Sequence, residues 1–218
     1  MKQEQSFINT DQWLQTIKDK WRHRTPGYLS RIRHGTAAVV IPLIETDRGV
    51  EILYEVRSDA LMTQPGEVSF PGGKIEAGEK PEAAAVRETM EELMIEQDQI
   101  EILAPMDGEN GPSGAPIWPF VGMLRDFEGT FSKDEVDHLF SIPINWFLKH
   151  EPLKHKAAMV TLTDPDFPYD LLPGGRDYQF KKRYRDILFY QTEEAVIWGV
   201  TAQMTYSFVQ FLKSKNMV

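Results

Sequence analysis

The alternation of apolar and polar positions changes period several times along this chain. Residues 36–46, TAAVVIPLIET, are nearly continuous in apolar character and predict a buried strand. Asp47, Arg48 and Gly49 signal a turn, and residues 50–56, VEILYEV, predict the returning strand. Residues 59–79 are rich in loop formers. A helical period then runs from about Pro81 to Leu93, with Pro81 at the first helical position. Further strands are predicted at residues 100–104 and 117–124, on either side of a Gly/Pro-rich loop. Residues 134–149 predict a short acidic turn followed by a helical piece in IPINWFLKH. Residues 157–197 predict strands and turns around LLPGGRD, and a last helix spans about Val200 to Lys213. Near the start, residues 10–22 place Trp13, Leu14, Ile17 and Trp21 at helical spacing behind Thr10 and Asp11. The irregular order predicts an α/β fold with a mixed β-sheet covered by helices. It divides into an N-terminal helical extension, residues 1–30, and one domain, residues 31–218.

Composition narrows the chemistry. With 218 residues, the chain can bury the core of one domain. It has no cysteine, which excludes disulfides, thiol nucleophiles and Cys-ligated zinc. No charged-then-apolar leader and no apolar run of about 20 residues stands out, so we expect a cytoplasmic protein that does not span a membrane. The net charge of −9 argues against nucleic-acid binding through the overall field. An anionic substrate would need local cations or metal ions.

The acidic stretch VRETMEELM, residues 86–94, is the candidate for holding such ions. At about 100° per residue, Glu88, Glu91 and Glu92 share an arc of roughly 100°. Val86, Met90 and Leu93 cluster on the opposite side and are expected to face the core. Ala84 and Ala85 lie near the acidic side and leave room above it. Arg87 flanks Glu91 and is placed to hold it by a bidentate hydrogen bond. By itself such a run is more often no more than a solvated helix face.

The surrounding residues add to this. In FPGGKIEAGEKPEAAAVRETMEEL, Gly73 is followed after five residues by Glu79, after seven more by Arg87 and Glu88, and then by Glu91 and Glu92. This spacing resembles the Nudix box, with Thr89 where an apolar residue is expected and Met94 where the last glycine is expected. The resemblance implies an α/β/α sandwich and hydrolysis of a nucleoside diphosphate linked to another moiety, with Mg²⁺ or Mn²⁺ as cofactor. It implies Glu88, Glu91 and Glu92 as metal ligands, with Glu79 as a further or supporting one. It makes Arg87 an orienting group, and one of Glu88, Glu91 and Glu135 the group that deprotonates water. Hard oxygen donors suit these ions better than zinc. With methionine in place of glycine at Met94, the helix is expected to end differently or to run on a turn.

Upstream, RSDALMTQPGEVSFPGG resembles the signature of coenzyme A diphosphatases within that family. Arg57, Ser58, Gly66, Phe70, Pro71, Gly72 and Gly73 match, and the resemblance makes Arg57, Ser58, Gly66, Phe70, Gly72 and Gly73 substrate-binding candidates. Met62 stands where an arginine is expected, and arginine there would be a natural phosphate clamp. The implied partner is a small nucleotide of the coenzyme A kind. ADP-ribose or another nucleotide sugar, and a catalytically weak nucleotide-binding module, remain as alternatives. Lys181, Lys182, Arg183 and Arg185 are either an exposed basic segment or a phosphate-capturing one. Trp118 and Phe120 are expected in the core, the five histidines in packing or surface roles, and a homodimer is possible.

Overall fold

The computed structural model describes residues 36–112 and 114–214. The expected helix at residues 10–22, with His23 and His34, lies outside these residues.

A hairpin forms the centre. Strand β1 (Ala37–Thr46) returns as β2 (Gly49–Arg57), antiparallel, with Leu43 opposite Ile52. Short strands β3 (Val68–Ser69) and β4 (Gly72–Lys74) pair with β2 and β1. Helix α1 (Pro81–Leu93) follows, then β5 (Ile100–Pro105), β6 (Glu109–Asn110) and β7 (Pro116–Leu124). Strand β7 runs parallel to β1, while its pairing with β5 is antiparallel, so the sheet is mixed. Strand β8 (Val136–Pro143) pairs with β2. Helix α2 (Ile144–Lys149) leads to a second sheet of β9 (Leu153–Met159), β10 (Arg183–Gln191) and β11 (Val196–Trp198), and α3 (Gly199–Ser214) closes the described chain.

The layers follow from the alternation of side chains along β1. Val39, Ile41 and Leu43 pack with Phe147 of α2 and with Met204 and Phe208 of α3. Ala38 and Val40 face the other way, onto Ala84 and Ala85 of α1. Two apolar faces on one strand require helices on both sides, which gives the expected sandwich. Tyr54 of β2 joins the layers. It stacks on Phe70 with ring centroids 5.0 Å apart, and its hydroxyl lies 3.0 Å from Thr205 Oγ1 of α3.

Four strands went unforeseen: the short β3, β4 and β6 lie in segments expected as loops, and β8 is the longest of the four. Residues 136–143 form β8 rather than an acidic turn, because Asp137 and His138 interrupt the alternation at a bulge opposite Val56 and Arg57. Trp118 is 42% exposed rather than in the core, while Phe120 is buried as expected.

Candidate active site

Helix α1 presents the acidic residues differently from the expectation. Its buried face is Ala84, Ala85, Thr89, Glu92 and Leu93, while Val86 and Met90 are only half-buried. Small residues let the helix approach the sheet closely, so Glu92 at the edge of the acidic arc turns inward. Thr89 is fully buried and satisfies its hydroxyl on the Ala85 carbonyl at 2.7 Å. It thereby fills an apolar position without leaving a bare polar atom.

The helix end also departs from expectation. Met94 takes the left-handed conformation itself, φ 53°, ψ 48°. Such a residue costs about 1–2 kcal/mol. Several contacts offset this. The Met94 and Ile95 N–H groups both donate to the Met90 carbonyl, and Ile95 is buried in the cluster that holds Leu93. The Thr130 hydroxyl caps the Leu93 carbonyl at 2.7 Å, and the Ser132 N–H caps that of Glu92 at 2.8 Å.

Arg87 ties the helix to the preceding loop. Its Nε and Nη2 donate to the two oxygens of Glu79 at 3.0 and 3.2 Å, and its Nη2 also donates to the Lys74 carbonyl. Its Nη1 donates to Glu88 at 2.8 Å, with Glu91 at 3.5 Å. The bidentate partner is therefore Glu79, not Glu91, because the loop at 74–79 folds back over the guanidinium. Both Glu79 oxygens are engaged, the second also by the Glu76 N–H. Glu79 thus fits a positioning role rather than that of a ligand. Its carboxyl is held below the usual range by the hydrogen bonds from Arg87 and from the Glu76 backbone. Glu91 is more than half exposed, with its carboxylate 3.5 Å from the Arg87 Nη1 that also binds Glu88.

Gly72 and Gly73 roof the acidic face. Gly72 has φ +149°, and a Cβ there would strike the Ala38 carbonyl and Val39. Its N–H donates to Glu92 Oε2 at 2.7 Å. Gly73 lies against Glu88, so a Cβ there would fall on its carboxylate. Both glycines are required by close approach. Phe70, expected to touch substrate, is instead in the core, where Tyr54 holds it. Ser58 is buried; its Oγ accepts the Ala60 N–H, and its own N–H donates to the Glu135 carbonyl. Gly66, φ +69°, closes the loop by donating to the Arg57 carbonyl.

One residue was missed. Glu55 of β2 is 1% exposed, and its Oε1 accepts from Ser69 at 2.8 Å. Its Oε2 and the Nε of Arg57 are the two buried side-chain polar atoms without a partner among the described residues. They stand two residues apart on one face of β2. Glu51, on the same face, shows what a settled buried glutamate looks like. It accepts from Thr46, Ser141 and both Nε and Nη2 of Arg48 at 2.6–2.7 Å. Burial pushes its carboxyl up, yet these partners bring it below the usual range. A glutamate within an apolar strand is the only sequence signal for Glu55, and it is shared with Glu51.

Burial, against only a partial offset from Ser69 and Arg57, pushes the Glu55 carboxyl up, and Glu135 adds to this. Glu92 is pushed up further, by burial first and then by the charges of Glu55, Glu135 and Glu88, against the Gly72 N–H. Three carboxylates thus act on Glu92 of α1: Glu55 from β2, Glu88 from α1, and Glu135 just before β8. As the side chains stand, no three acidic or histidine groups among the described residues are placed to hold a metal ion. Arg87 draws Glu88 aside, and the Gly72 N–H holds Glu92. The donor set nevertheless fits a hard divalent cation: oxygen ligands, an orphaned buried carboxylate oxygen, and repulsion that a cation would relieve.

A NUDIX domain model matches residues 33–164. The chain belongs to the NUDIX domain family. Relatives agree with this. The chain is 31% identical over 140 residues to the peroxisomal coenzyme A diphosphatase NUDT7 of Mus musculus, covering 63% of this chain and 58% of that protein. It is 28% identical over 180 residues to Nudix hydrolase 3 of Caenorhabditis elegans, covering 80% and 72%. It is 31% identical over 168 residues to the uncharacterized Nudix hydrolase NudL of an Enterobacter strain, covering 76% and 77%. The chain thus spans little more than half the length of the mouse relative. Within this NUDIX domain, Gly72 lies on Glu92, Gly73 and Arg87 lie on Glu88, and the charges of Glu135, singled out from the sequence, and of Glu55, which was not, bear on Glu92.

Proposed function

We propose that this protein hydrolyses the diphosphate bond of coenzyme A or an acyl-coenzyme A. Water enters, and 3′-phospho-AMP and (acyl-)phosphopantetheine leave. The observation that carries the chemistry is the pair of orphaned buried atoms on β2, Glu55 Oε2 and Arg57 Nε, with the Glu55 carboxylate near enough to raise that of Glu92. A buried acceptor and a buried donor without partners are expected where a ligand supplies them. The substrate class is supported by the matched residues at 57–73 and by the similarity to the mouse coenzyme A diphosphatase.

Glu55, Glu88 and Glu92 would hold Mg²⁺ or Mn²⁺, which when bound would neutralise phosphoryl charge and acidify a water molecule. Arg87 fixes the direction of Glu88 through its anchorage on Glu79. Arg57 Nε donates to a phosphate oxygen, and the Gly73 backbone lets the diphosphate approach. Glu135, exposed and beside the buried pair, takes the proton of the attacking water.

A second reading keeps the chemistry and takes ADP-ribose or a nucleotide sugar as substrate. It is favoured by Met62, whose fully exposed side chain provides no cation where one is expected. A panel of coenzyme A, ADP-ribose and a nucleotide sugar with Mg²⁺ or Mn²⁺ separates the two. Release of 3′-phospho-AMP with a preference for coenzyme A is expected, and faster turnover of ADP-ribose would refute the substrate assignment. Glu92→Gln should abolish turnover on any of them.

A further inference from the structure

Beyond the carboxylates, a cleft of about 770 Å³ opens between residues 64–67, the turn at 109–114, the β9–β10 hairpin and the first turn of α3. None of Glu55, Glu88 and Glu92 lines it. Gln64 and Glu67 on its rim belong to the loop that returns to β2, where the Glu67 carbonyl accepts the Arg57 N–H at 3.0 Å.

Arg183 and Arg185 line one wall, at alternate positions of β10 and so on one face. The acidic residues of the cleft are already engaged. Glu67 accepts from the Gln64 amide at 2.7 Å, Glu109 from the Asn110 N–H at 2.8 Å, and Asp186 pairs with Lys154 at 2.9 Å. Among the described residues, neither arginine side chain has an ion-pair or hydrogen-bond partner. Two unpaired guanidinium groups side by side repel each other, and an anion relieves that. Phosphate matches their forked geometry. Trp198, 41% exposed, lines the same cleft with its ring stacked on Phe189 at 11°. An indole held in this way is a platform for a nucleobase.

We propose that this cleft receives the phosphorylated nucleoside half of the substrate, with Arg183 and Arg185 on a phosphate monoester and Trp198 against the base. This rests on the diphosphatase reading above and deepens it. It also assigns substrate selection to residues 183–198, which lie beyond the segment matched by the family model.

The test is calorimetric titration of the metal-free protein with adenosine 3′,5′-bisphosphate and with AMP. The wild type should bind the bisphosphate at least about tenfold more tightly, as expected for charge-assisted hydrogen bonds. The double substitution R183Q/R185Q should erase that preference, and R183K/R185K should keep part of it. In turnover, R183Q/R185Q should lower the ratio of kcat/KM for coenzyme A to that for dephospho-coenzyme A by roughly 10–100-fold, mainly through KM. Equal binding of the two nucleotides by the wild type, or an unchanged preference in R183Q/R185Q, overturns the proposal. Arginine-dependent binding of the bisphosphate without cleavage of coenzyme A would keep the cleft and remove the coenzyme A reading. Cleavage of coenzyme A without arginine dependence would do the reverse. Both arginines are exposed on a strand, so the folded state should survive either substitution.

Discussion

Two adjacent glycines should respond to the same substitution in opposite ways. Gly73 does not have a positive φ, and a Cβ there would meet no backbone among its nearest contacts, only the Glu88 carboxylate, with Cδ at 2.5 Å and Oε1 at 2.8 Å. That carboxylate is the free end of a flexible side chain, so it swings away. Gly73→Ala then loses the Arg87–Glu88 contact, a partly exposed pair contributing less than about 1 kcal/mol. The melting temperature should change by no more than about 4 °C. A shift of about 1 Å in a positioned group costs on the order of 100-fold in rate, so kcat should fall by about that factor. Gly72→Ala meets backbone instead. Val39 Cα would lie 2.5 Å from the new Cβ, at φ +149°. Overpacking of about 1–3 kcal/mol and backbone strain of similar size add up. The melting temperature should drop by roughly 5–20 °C. Differential scanning calorimetry and initial rates on whichever diphosphate the wild type cleaves best provide both numbers. If Gly73→Ala retains full activity, the placement of Glu88 under the turn is irrelevant to the reaction and the site is wrongly drawn.

Two further outcomes follow from the same geometry. Glu55 and Glu92 have folded-state values above the unfolded carboxylate, so the folded protein holds more protons, and stability present near pH 4.5 is lost as pH rises toward about 9. The metal-free melting temperature should fall across that range, Glu92→Gln should flatten the decline, and Mg²⁺ should raise it more at pH 8 than at pH 5; a stabilisation independent of pH would contradict this. Met94→Gly should relieve about 1 kcal/mol of left-handed strain and raise the melting temperature by about 2–4 °C, with turnover unchanged, and a lower melting temperature would show that the methionine is not strained.

The helix from Pro81 was legible in its start and carboxylate spacing, because Pro81 marks its first position, while its left-handed end at Met94 was not. Which side of it faces the sheet was not. Counting large apolar residues pointed to Val86 and Met90, but the closest approach is made by the smallest residues, Ala84 and Ala85. Periodicity weighs hydrophobicity and is blind to how near two backbones come. Glu55 was hidden for a different reason. A lone glutamate in a strand carries no spacing pattern, and only the missing partner on Oε2 separates it from the fully bonded Glu51. The cleft lined by Arg183 and Arg185 depended on contacts between segments more than 100 residues apart, which local pattern does not encode.

The strap from residues 130–132 to the end of α1 has its own consequence. Main-chain and hydroxyl contacts at Leu93 and Glu92 clamp the stretch that leads directly into Glu135. Insertions between Asp126 and Gly129 should therefore be absorbed as slack upstream of the clamp, leaving the spacing of the carboxylates intact. A single residue inserted between Ser132 and Glu135 has nowhere to be absorbed, and would slide the carboxylate out of register with its neighbours.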